Sequence, residues 1–120
     1  KINAVTSNDK IILKECNFKE ADLQTSNGKI NIVNPVIKGK NKFKTVTSND
    51  DIDFEFDEKL LEKTGFDINT RTSNGNIEIR LPKISKKGSK EIIVESNSDF
   101  ENVLTINAKT SNSDIFIGSK

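Results

Sequence analysis

The sequence predicts an all-β chain wound as a β-solenoid, β-helix-like, of about five to six short coils, each turning at a Ser-Asn corner. Three observations predict it: a corner phrase that returns along the whole chain, period-two alternation on both sides of each corner, and a thin supply of apolar residues. The Ser-Asn pair occurs at Ser7-Asn8, Ser26-Asn27, Ser48-Asn49, Ser73-Asn74, Ser96-Asn97 and Ser111-Asn112, at spacings of 19, 22, 25, 23 and 15 residues. Such lengths suit one coil of a repeat architecture. The apolar share is 32%, or about 37% with the six glycines, below the roughly 45–50% of average globular chains. A narrow core between alternating strands needs no more.

Each unit reads strand, corner, strand. Upstream of the corner, Ile2, Ala4 and Thr6 lie in one register, as do Ala21, Leu23 and Thr25, and Ile106, Ala108 and Thr110. Three residues after the Asn stands Ile11, Ile30, Ile52, Ile77, Phe100 or Ile115, and five after it Leu13, Ile32, Phe54, Ile79 or Ile117, with Asn102 the exception. Alternation of this kind marks a half-buried strand. The step from Thr to the following Ile is five residues, so a straight strand would put them on opposite faces. A corner at Asn followed by Gly, Asp or Ser restores both to the inside, because these residues tolerate left-handed angles and bond locally. Weaker turns are expected at Asn17, Gly39, Gly65, Gly88 and Asn102, and one helical turn over residues 57–65, "DEKLLEKTG".

An antiparallel β-meander or sandwich is the alternative, since Asn-Gly also signals a hairpin and would set Arg71 opposite Glu78. The solenoid is preferred because only stacked coils give the corner residue a reason to repeat. In register, Asn8, Asn27, Asn49, Asn74, Asn97 and Asn112 form a ladder of side-chain amides. The Thr column forms a second ladder of hydroxyls pairing between coils. On this reading Asn74→Ala destabilises the protein, and the same change at Asn41, expected to be exposed, matters less.

Repeated "TSNG-x-I-x-I" units, from "VTSNDKIIL" to "KTSNSDIFI", resemble the bacterial adhesin-like β-repeat domain, often named only as a domain of unknown function. The resemblance implies a β-helix-like fold and a place at the cell envelope, secreted or membrane-tethered, in proteins tied to envelope stress. It implies no catalytic residue. Asp or Ser replaces Gly after the Asn in four of the six corners, a departure that bears on corner geometry.

Composition narrows the chemistry. Basic and acidic residues number 19 and 18, so no strongly attracted polyanion is implied, and without base-stacking platforms nucleic acid is not expected. With no His, Ser-His-Asp and Cys-His constellations are excluded; Cys16 reads as a structural thiol. No catalytic, cofactor or metal residue is assigned, and no enzyme is expected. A polysaccharide lyase would need a base and a walled cleft, and Arg71 and Arg80 are the only arginines. The acidic stretch at residues 50–58 alternates Asp51, Asp53 and Glu55 at about 7 Å intervals along one face, which invites a cation. Lys38, Lys40, Lys42 and Lys44 alternate likewise as a surface stripe, and adjacent stripes would neutralise one another.

Without Met, residues 1–120 read as a single β-repeat domain from a longer protein. The expected role is a non-catalytic structural or binding module at the bacterial cell envelope. The other class is a sensor or partner-binding domain of a membrane-tethered stress protein. Partners would be an envelope polymer, a glycan or a protein, with a homodimer formed through solenoid ends.

Overall fold

A computed structural model describes residues 2–15, 17, 19–81, 84–95 and 101–119. Cys16, Asn97 and Phe100 lie outside the described residues. The strands are β1 (Ile2–Thr6), β2 (Ile11–Lys14), β3 (Glu20–Thr25), β4 (Ile30–Val33), β5 (Lys40–Thr47) and β6 (Ile52–Glu55), then β7 (Thr64–Leu81), β8 (Ile84–Glu95), β9 (Asn102–Thr110) and β10 (Ile115–Gly118). The expected helical turn is α1 (Glu58–Glu62), whose Leu61 is buried.

The fold is all-β and β-solenoid-like. β1, β3, β5, β9 and β7 form one wall; β7, β10, β6, β4 and β2 form the other. All these neighbours pair in parallel. β7 alone runs through the corner as one strand of 18 residues and belongs to both walls. Each coil is therefore one strand up to the Ser-Asn corner and one strand away from it.

The stacking order departs from chain order. The first three coils, β1/β2, β3/β4 and β5/β6, follow in sequence, but β7 does not lie on the third. The last segment, β9/β10, fills that place and touches β5/β6 on one side and β7 on the other. β8, between β7 and β9 in the chain, does not stack in parallel as a coil strand. It folds back antiparallel along both halves of β7 and ends the stack. The expectation of coils stacked in chain order thus fails after the third coil, and the fifth corner, Ser96-Asn97, lies outside the described residues. Hairpin pairing occurs at β7–β8, yet Arg71 lies opposite Glu91, not Glu78. Gly65 sits inside β7 and Gly88 inside β8, so neither marks a turn; Gly39 does, at φ +70°.

Register builds columns through the core. One wall stacks Ile2, Ala21, Phe43, Ile106 and Ile68. The other stacks Ile11, Ile30, Ile52, Ile115 and Ile77 beside Leu13, Ile32, Phe54, Ile117 and Ile79. The inner members of these columns are almost wholly buried. Phe43 meets Phe54 edge-on at 5.8 Å, and Phe54, Phe56 and Phe66 continue the aromatic contact. Burying one such side chain contributes about 1.5–3 kcal/mol, so a slender axis of stacked Ile and Phe suffices to hold the coils.

Candidate functional site

The corner ridge is the most regular surface of the molecule. Asn74 donates its side-chain amide to Asn112, Asn112 to Asn49, Asn49 to Asn27 and Asn27 to Asn8, at 2.7–2.8 Å. All these asparagines are exposed. The amide ladder therefore exists, in the order of stacking and not of sequence. Beneath it runs a second ladder, of buried Thr hydroxyls. Thr25 donates to the carbonyl of Asp9, Thr47 to Gly28, Thr110 to Asp50 and Thr72 to Ser113, at 2.8–3.4 Å. The hydroxyls thus reach backbone carbonyls of the adjacent coil and not one another. A carbonyl at the corner otherwise points into the coil above with nothing to receive, and the Thr supplies a short donor there.

Gly28 and Gly75 follow from the same crowding. A Cβ on Gly75 would lie 1.8 Å from the Ser113 carbonyl oxygen, and one on Gly28 2.0 Å from that of Asp9. At the third corner Asp50 keeps a side chain, and its Oδ1 accepts the Asp51 N–H at 2.7 Å. Corners of two kinds share one ladder.

Ladder position sets the expected cost of substitution. Asn49 and Asn112 each hold two amide bonds, whereas Asn8 and Asn74 stand at the ends with one each among the described residues. Asn49→Ala or Asn112→Ala should cost about 1 kcal/mol, and Asn74→Ala less. Asn41 is buried, not exposed, and its Oδ1 accepts the Lys38 N–H at 3.0 Å. Asn41→Ala should therefore cost at least as much as Asn112→Ala. Urea unfolding of the four variants checks the order. A loss at Asn74 equal to that at Asn112 would contradict the cooperative ladder.

The lysine stripe lies on the outer face of one wall. Lys40, Lys42 and Lys44 alternate outward along β5 and are exposed, with Lys38 just before the strand. The acidic stretch is not beside it, because β6 belongs to the other wall. The carboxylates next to the stripe are Glu20 and Asp22 of β3, in register with Lys42 and Lys44. Asp51, Asp53 and Glu55 do not converge as a cation cradle. Asp51 accepts the Ser113 hydroxyl and the Asp114 N–H, and Asp53 is held by Lys29 at 2.8 Å. Among the described residues no group of three or more acidic, Cys or His side chains is placed to hold a metal ion.

Arg71 and Arg80 pair with Glu91 and Glu78 on different walls, at 3.0 and 2.5 Å. They do not converge on a common groove. No described helix is long and apolar enough to cross a membrane.

The fold and its ladders define a parallel-coiled, all-β repeat domain with an antiparallel cap. No family model, curated protein or solved structure matches the chain.

Proposed function

We propose that the domain is a non-catalytic, adhesin-like structural or binding module at a bacterial cell envelope, contacting an anionic envelope polymer through its lysine stripe. The observation that carries the reading is the outward row of Lys40, Lys42 and Lys44 on a strand paired on both sides within a wall. A strand so held presents its side chains about 7 Å apart in a fixed line, a spacing suited to repeated negative charge. Lysine on an edge strand is often a guard against pairing. β5 is not an edge, so that explanation does not account for these lysines. Each exposed contact is weak, and several must act together.

Converting Lys38, Lys40, Lys42 and Lys44 together to Gln should leave the fold intact and strongly reduce retention on purified lipoteichoic acid. Parent binding should fall as salt is raised through the physiological range. Retention of the variant at the parent level would remove the stripe from the interface.

A further inference from the structure

The basic row of Lys40, Lys42 and Lys44 does not end on β5. On one side it meets carboxylates, Glu20 and Asp22 of β3 in register with Lys42 and Lys44. On the other side Lys42 and Lys44 are in register with Thr105 and Asn107 of β9, a strand with no acidic residue in its sequence, NVLTINAKT. An anion that follows the lysines is therefore drawn toward β9 and repelled from β3.

Two outward rungs lie in that direction. One crosses β5, β9 and β7 as Lys44, Asn107 and Asn69; the next runs Val46, Lys109 and Arg71 and reaches Glu91 on β8. Neighbouring strands are about 4.8 Å apart and the rungs about 7 Å, so long side chains from both rungs can close on one small group. Together they line an open depression of about 290 Å³ on the outer face of the wall. Three cations, Lys44, Lys109 and Arg71, come from three different strands and outnumber the carboxylate of Glu91. Arg71 donates Nη2 to Glu91 at 3.0 Å, with side chains 63% and 42% exposed. Such a pair is worth little, and a guanidinium has further N–H groups for a second anion. No aromatic side chain lines the depression among the described residues, so a base has nothing to stack on.

We propose that this depression is a subsite for one polyol phosphate unit of the polymer, with Lys44, Lys109 and Arg71 holding the phosphate and Asn69 and Asn107 reading the hydroxyls. The assignment rests on the polymer reading above and adds to it a preference among polyanions. Charge and carboxamides select different parts of the ligand. Phosphate oxygens accept from ammonium and guanidinium groups. A carboxamide both donates and accepts, which suits a hydroxyl, whereas a bare phosphate chain offers it acceptors alone. Asn69 is exposed and Asn107 half-buried, in register with each other on adjacent strands and facing outward beside the cations. The volume lies at the small end of the range for ligand pockets, which fits a single repeat unit.

The probes are poly(glycerol phosphate) and inorganic polyphosphate of matched charge, each titrated into the intact protein by calorimetry. The parent should prefer the hydroxyl-bearing polymer about threefold to tenfold. Asn69→Ala combined with Asn107→Ala should erase that preference and leave polyphosphate binding unchanged. Both side chains face away from the core, so the melting temperature of this variant should match the parent's. Lys109→Gln and Arg71→Gln should each weaken both polymers about twofold to fivefold, and Glu91→Gln should strengthen both. A parent without preference, an equal loss on both polymers in the Asn variant, or unchanged affinity in Lys109→Gln and Arg71→Gln would overturn the subsite. If one of these holds while the four-lysine variant still loses binding, the stripe stands without the subsite. A parent that binds neither polymer removes both.

Discussion

Removal of residues 102–120 is expected to abolish cooperative folding. In a solenoid stacked in chain order, the last coil is a terminal one, and deleting it shortens the stack and leaves the rest standing. Here β9 and β10 lie between β5/β6 and β7. The deletion takes Leu104, Ile106, Ala108, Ile115 and Ile117 out of the core and opens both neighbours to water. At about 1.5–3 kcal/mol for each of the four large side chains, the loss is on the order of 10 kcal/mol, comparable to the whole stability of an ordinary domain. Circular dichroism during thermal unfolding should show no sigmoidal transition for the truncated chain. A cooperative transition with most of the parent's β signal would mean that the last segment is terminal after all. Deleting residues 1–15 provides the contrast: it removes only the half-buried end coil and should leave a cooperative, less stable protein.

Gly75→Ala is expected to be the most damaging single corner substitution. The added carbon would stand 1.8 Å from the Ser113 carbonyl oxygen, so the corner of β7 must move away from the coil beneath it. Overpacking of this kind costs about 1–3 kcal/mol, and the shift also strains the Asn74–Asn112 and Thr72–Ser113 bonds. Gly39→Ala is the matched control. Nothing lies within 4 Å of its added carbon, and the only penalty is the left-handed backbone at φ +70°, about 1 kcal/mol. Melting temperatures should rank the parent first, Gly39→Ala second and Gly75→Ala last. A Gly75→Ala protein as stable as Gly39→Ala would show that the two corners do not approach so closely.

Much of the architecture was legible because its signal is local and repeated. Thr25, Thr47, Thr72 and Thr110 with their following Ile residues state both the alternation and the corner, and each copy can be checked against the others. β8, which pairs antiparallel, leads into the most degenerate copy: Glu95 replaces Thr, and Asn102 replaces the second apolar residue. That degeneracy is the signal that could have identified β8 as a return strand. The charge stripes are less legible, because β5 and β6 join different walls. Lys42 and Asp53 alternate with neighbours of one sign, but period-two alternation gives the face of a strand and not the wall it joins. Asn41 is buried and not exposed, and its burial is illegible for a related reason. A polar residue in the inward phase is indistinguishable from an exposed one until the chain turn at Lys38 supplies its partner.

The amino-acid sequence by itself determined the unit: a strand, a Thr-Ser-Asn corner and a second strand, repeated around a thin Ile-rich axis. Only the tertiary structure decided the order in which the units stack, with the last repeat between the third coil and β7, and β8 laid antiparallel across the end. The physical reason is that the units are nearly interchangeable. Any coil offers the same amide, hydroxyl and apolar column to its neighbour, so local pattern cannot choose among them. The choice falls to which strand can cover the exposed side of β7, and β8, with its polar "KKGSK" segment, does that.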